Sequence, residues 1–232
     1  MQQDVVVAPD GTEVVVAPDG TEVTLVGVGT AVLLDTPRVR VWDVHLPAHG
    51  RHPWHLHRNP YVVLSIDGSS GRMDWLDGRE PRHIVEYTGG AVLRPVSPVH
   101  RLTETGGKRY RNRLVELKEL GENLPRVADI GEGGRSVEGV LPAGLELLPD
   151  GRHPVLADDV ATVWTVTVPP GKERELDLAD VPHVTALIDA DLEGAALEAS
   201  VAEHPGGPLT LQNPGDGPRT WFVVSLDHLE DR

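Results

Sequence analysis

Short runs of β-branched and apolar residues, cut at close intervals by glycine and proline, set the pattern of this chain. Segments 39–46, 60–67, 72–76, 83–87, 91–94, 100–104 and 110–117 each read as a strand. The breaks between them are turn signals: Pro47-Ala-His-Gly50, Gly68-Ser-Ser-Gly71, Asp77-Gly78 and Gly106-Gly107. Strands at this spacing, with no long 3.6-residue periodicity, predict a β-sandwich or barrel rather than a helical bundle.

Two kinds of repetition organise the rest. Residues 5–13, Val-Val-Val-Ala-Pro-Asp-Gly-Thr-Glu, recur unchanged as 14–22. Each copy is a β run followed by a Pro-Asp-Gly turn, which predicts short hairpin-like edge strands. On a larger scale, Val41-Trp42-Asp-Val-His-Leu-Pro47 is echoed by Val163-Trp164-Thr-Val-Thr-Val-Pro169, and 60–67 by 182–189, both at an offset of 122. At an offset of 109, Leu102–Gly106 and 114–117 lie over 211–215 and 223–226. The expectation is an all-β chain of two related barrels. N-terminal strands occupy 1–30, a first barrel 31–120, a Gly-, Pro- and acid-rich connector 121–154, and a second barrel 155–232.

Composition narrows the function classes. The 232 residues include 25 Gly and 20 Pro but no cysteine, which removes disulfides, thiolate metal sites and cysteine nucleophiles. A net charge of −15 disfavours binding to a phosphate backbone or an anionic membrane. No apolar run reaches the roughly 20 residues of a membrane span, and Met1-Gln-Gln-Asp4 lacks the features of a signal peptide. The expectation is a soluble, cytoplasmic protein with a small-molecule ligand. The charge is uneven, −1 over residues 1–120 and −14 over 121–232, with Arg94, Arg101, Arg109, Arg111 and Arg113 clustered in the first half. That favours an anionic ligand there.

The densest polar cluster is His52-Pro-Trp-His55-Leu-His57, with His100 following in Pro95-Val-Ser-Pro-Val-His100. Residues i and i+2 of a strand share a face, so His55 and His57 point the same way. Three neutral imidazoles on adjacent strands suit a divalent transition metal: Fe, Zn, Ni, Mn or Cu.

These residues resemble the two motifs of the cupin superfamily. Against G-x5-H-x-H-x3-E-x6-G the chain gives Gly50, four residues, His55-x-His57, three residues, Tyr61, six residues and Gly68. Against G-x5-P-x-G-x2-H-x3-N it gives Gly89, five residues, Pro95, Val96, Ser97, two residues, His100, three residues and Glu104. The resemblance spans about residues 38–118 and implies a jelly-roll barrel with a metal held by His55, His57 and His100. Tyr61 stands where the family has a glutamate ligand, and Ser97 and Glu104 replace a glycine and an asparagine. Three-histidine cupins include dioxygenases, so the resemblance implies iron and Fe(II)/O2 chemistry first. Non-redox isomerase, lyase or hydrolase chemistry and a non-enzymatic ligand-binding barrel are the alternatives.

Three imidazoles leave the full charge of a divalent ion uncompensated, which favours an anionic chelating ligand. Tyr61 is a candidate proton donor. Arg111 and Arg113, two apart on one strand, are candidates to meet a substrate carboxylate, with an outer-face salt bridge as the plainer reading. Trp54 alternates away from the histidines. His45, His49 and His52 read as turn or rim residues, and Glu104 as a solvated loop end. Carrying the ligand positions into the second half gives Asp177, Ala179, His183 and Leu209, so that barrel is degenerate. It can cover an open face of the first, or serve a homodimer interface.

Overall fold

In the computed structural model, which describes residues 5–120, 124–130 and 134–230, the chain is built of antiparallel strands. Strands β1 (Val5–Val7), β2 (Glu13–Val16) and β3 (Glu22–Thr24) form a small meander. The first barrel follows: β4 (Ala31–Asp35), β5 (Val39–Leu46), β6 (Arg51–His55), β7 (Tyr61–Asp67), β8 (Ser70–Trp75), β9 (Arg82–Val85), β10 (Ala91–Arg94), β11 (His100–Glu104) and β12 (Tyr110–Leu117). The second holds β13 (His153–Ala157), β14 (Thr162–Val168), β15 (Lys172–Leu178), β16 (His183–Leu187), β17 (Val201–His204), β18 (Gly207–Asn213) and β19 (Arg219–Ser225). Its only α-helix among the described residues is α1 (Gly194–Glu198). No helix there is long and apolar enough to cross a membrane.

The two barrels share one plan. A five-stranded sheet ordered β10-β7-β12-β5-β4 faces a four-stranded sheet ordered β6-β11-β8-β9. In the second barrel the five-stranded order β17-β16-β19-β14-β13 is the same path, with each strand at the place of its counterpart. The facing sheet has shrunk to the β15-β18 ribbon, and α1 lies in the stretch where β8 and β9 would run.

The five-stranded sheets pack back to back. Val39, Val41, Val62, Leu64, Val115 and Leu117 from one meet Val163, Val184, Ala186, Phe222 and Val224 from the other in a single apolar cluster. The central strands are therefore covered on both faces, and every residue of β12 is buried. A polar clasp borders this cluster. Asp43 accepts from Arg111 Nε and Nη2 at 2.9 and 3.0 Å and also from Arg113, while Arg111 Nη1 reaches Ala190 O of the second barrel at 2.7 Å.

The identical nine-residue copies meet opposite fates. They do not edge a barrel sheet. They supply β1 and β2 of the separate meander, paired Val5↔Val15 and Val14↔Thr24. Val15, 0% exposed, packs with Leu25, Leu56, Leu76 and Val99 against the segments that carry the histidines, whereas its duplicate Val6 is 62% exposed. Val15→Ala is expected to cost about 1–3 kcal/mol, seen as a lower urea midpoint. Val6→Ala should leave that midpoint where it is.

Candidate metal centre

His55 closes β6 and His100 opens β11, and the two are direct cross-strand partners. His57 follows two residues beyond the end of β6. The three rings converge, with centroids 4.4 Å apart for His55 and His100, 5.2 Å for His55 and His57, and 5.3 Å for His57 and His100. One nitrogen from each lies within 4.8 Å of the others, and all three side chains are buried. Trp54 alternates outward into the cluster beneath the meander, where Arg101 stacks on it at 4.7 Å.

The backbone fixes which nitrogens are available. His55 Nδ1 lies 2.8 Å from Pro53 O, and His100 Nδ1 lies 2.8 Å from Pro98 O. A carbonyl only accepts, so both Nδ1 atoms carry the proton and both Nε2 atoms keep a lone pair. Burial, reinforced by the neighbouring imidazoles, holds His55 and His100 well below the usual histidine range, and burial also lowers His57. All three are neutral at pH 7, as metal ligation requires. Carbonyl-anchored Nδ1–H groups are also the usual outer support of metal-binding imidazoles. The donor set fits a divalent transition ion.

A carboxylate is present, but behind a ligand position. Glu116 Oε1 stands 3.6 Å from His57 Nδ1, too far for a hydrogen bond, so that Nδ1 is left without a partner, and Glu116 Oε2 accepts from Trp42 Nε1 at 2.8 Å. Tyr61, at the motif's glutamate position, stacks flat on His57 with centroids 3.8 Å apart and planes 15° apart. Its hydroxyl meets Ser97 Oγ at 3.2 Å. The two departures from the motif, Tyr for Glu and Ser for Gly, are thus bonded to each other. Burial raises the Tyr61 pKa, so it stays a neutral phenol.

The centre opens on a cavity of about 50 Å³. Val28, Val44, Val63, Val92 and Leu114 line it together with the histidines, and polar groups come from Arg94, Glu86, Tyr110, Asn112 and Arg135. Tyr110 donates to Glu86 Oε2 at 2.9 Å and therefore accepts from Asn112 Nδ2 at 2.8 Å. Arg135 belongs to the connector, which bridges onto Val92 of β10, so that segment helps to build the first barrel.

Arg111 and Arg113 do not reach this cavity. The even positions of β12, Tyr110, Asn112 and Leu114, face it, and the odd positions face the second barrel, where both arginines are consumed by Asp43. His52 departs from a rim position. It is buried, lines the cavity and donates from Nε2 to Gly27 O at 2.9 Å. Glu104 is neither in the cavity nor solvated. Its buried carboxylate accepts from His49 N at 2.7 Å and from Ser69 Oγ at 2.7 Å, tying down a turn. His45 is exposed on β5. Glu116, Arg94 and Arg135 are the residues that spacing did not single out for the site. Arg94 alone left a local signal, as a lone cation ending an apolar strand just before the His100 segment.

No protein-family model and no curated protein sequence matches the chain. Solved structures do. AerE from Microcystis aeruginosa superposes with a TM-score of 0.58 at 8% identity, over 97% of each chain. Vicilin from Solanum melongena gives 0.56 at 9% identity, over 97% of this chain and 82% of its own. YhaK from Escherichia coli gives 0.51 at 13% identity, over 85% and 91%. The chain has the two-barrel cupin fold. Within that cupin frame His55, His57 and His100 occupy the first barrel, and among the described residues no second cluster of metal-capable side chains is found. In the second cupin barrel the Tyr61 position is His183, fully buried with Nδ1 on Val181 O at 2.7 Å.

Proposed function

We propose that this two-barrel cupin is a mononuclear metalloenzyme acting on a small polar or anionic metabolite, with Fe(II)/O2 dioxygenation as its reaction. The observation that carries the reading is the set of three buried, neutral imidazoles, two of them locked by backbone carbonyls with Nε2 free. A divalent ion held there would supply Lewis acidity and, as iron, one-electron chemistry with O2. The protein's own part is to orient and to exclude water. Pro53 O and Pro98 O fix two rings, Tyr61 stacks on the third, and valines and Leu114 form the apolar part of the cavity wall. Tyr61 is assigned a positioning role, because Ser97 engages its hydroxyl and its ring lies on His57.

The test is elemental mass spectrometry on untagged protein, followed by O2 uptake with small carboxylates and diketones. About one equivalent of iron with substrate-dependent uptake is the expected result. Stoichiometric zinc without uptake would move the reaction to non-redox Lewis-acid chemistry. No bound metal after reconstitution would overturn the metalloenzyme reading.

A further inference from the structure

We infer that Arg94 is the carboxylate-binding residue of this cavity, and that the ligand is a two- or three-carbon carboxylic acid whose other end reaches the three histidines. The second half of that statement rests on the metalloenzyme reading; Arg94's part does not.

Arg94 ends β10, is 4% exposed and lines the cavity. Its guanidinium lies 6.0 Å from the Tyr61 ring and 5.9 Å from the Trp75 ring. Its Nε and Nη2 have no hydrogen-bond partner, and among the described residues the carboxylate it feels, that of Glu86, acts on it without a close ion pair. Glu86, which shares the cavity, already accepts from Tyr110. A buried guanidinium with two idle donors is costly to the fold, and such a cost persists where function requires it.

The idle pair is a matched pair. Nε and Nη2 are the two atoms with which Arg111 grips both oxygens of Asp43, at 2.9 and 3.0 Å. The molecule thus displays the same fork twice, once filled by its own carboxylate and once empty beside the histidines. A carboxylate is the group that fills such a fork bidentately. Arg113 also has idle Nε and Nη2, but it already has Asp43 and lines no cavity described above. Size sets the rest. A water needs roughly 10–15 Å³ of such space, so about 50 Å³ admits a ligand of only a few non-hydrogen atoms.

The test is calorimetric titration of acetate, glycolate and pyruvate into the full chain, metal-loaded and chelator-stripped. The parent is compared with Arg94→Gln and Arg94→Met, and metal content and melting temperature are measured on each. The expected result is that the parent binds at least one acid and that both variants weaken it by at least about tenfold. The variants should keep the parent's metal content. Without acid they should melt no lower than the parent, because a buried guanidinium with two idle donors has gone and Arg135 still faces Glu86. Variants that bind acid as the parent does would overturn the inference. So would a fall in melting temperature in both variants while acid still stabilises them, which would make Arg94 structural. Binding of no acid by either form of the parent would also overturn it. A parent that takes up no metal, yet binds acid through Arg94 when stripped, would sink the metalloenzyme reading and leave Arg94's role standing.

Discussion

His57→Ala is expected to lower metal affinity by more than about a hundredfold, beyond what loss of an outer-shell partner does. The proposed centre has three donors and no carboxylate among them, so each imidazole would supply a third of the coordination the protein offers. His57 is also the ring on which Tyr61 stacks and toward which Glu116 is aimed, and its removal leaves both without the group they position. The control is His52→Ala. His52 sits 4.6 Å from His55, centroid to centroid, but gives its Nε2 proton to Gly27 O, so that variant should keep its metal. Chelator competition and elemental analysis read both. Stoichiometric, tightly held metal in His57→Ala would rule out the three-histidine site.

Asp43→Asn should destabilise the fold by about 3–5 kcal/mol, as when one partner of a buried ion pair is removed. Here one carboxylate serves two guanidiniums, and Arg113 is 0% exposed. Burial pushes Arg113 down to about 10, which still leaves it charged at neutral pH. Without Asp43, two buried cations would lie side by side on one face of β12. The diagnostic is rescue: adding Arg111→Met and Arg113→Met to Asp43→Asn should restore much of the urea midpoint, because an apolar replacement of a buried ion cluster is near neutral. A midpoint in Asp43→Asn equal to the parent's would show that the cluster contributes nothing to the contact between the barrels.

These two residues also show what the amino-acid pattern could and could not disclose. Strands 39–46, 91–94, 100–104 and 110–117 coincide with β5, β10, β11 and β12, because glycine and proline mark their ends. The His55-x-His57 pair was legible because its spacing is local, whereas His100, on the non-consecutive strand β11, was legible only through the second motif of the cupin resemblance. The direction of Arg111 and Arg113 was not. Parity tells inside from outside only when one face meets water, and β12 is covered on both. Glu116 reaches His57 through strand pairing between residues far apart in sequence, and Arg135 arrives from a connector with no periodicity at all. The shared order of the five-stranded sheets follows the offsets of 122 and 109, which were visible because the back-to-back core holds those strands to apolar residues.

The tandem copies at the N-terminus make the chain's length partly redundant. Deleting residues 5–13 or residues 14–22 gives one and the same protein, since the copies are identical. In that shorter chain the surviving Val-Val-Val still runs through Ala-Pro-Asp-Gly-Thr-Glu into Val23 and Leu25, so its middle valine inherits the place of Val15 against Leu56 and Val99. What is lost is β1, the outer strand. Losing one nine-residue unit therefore removes β1 and its pairing with β2 while leaving the sequence of the histidine-bearing barrel unchanged.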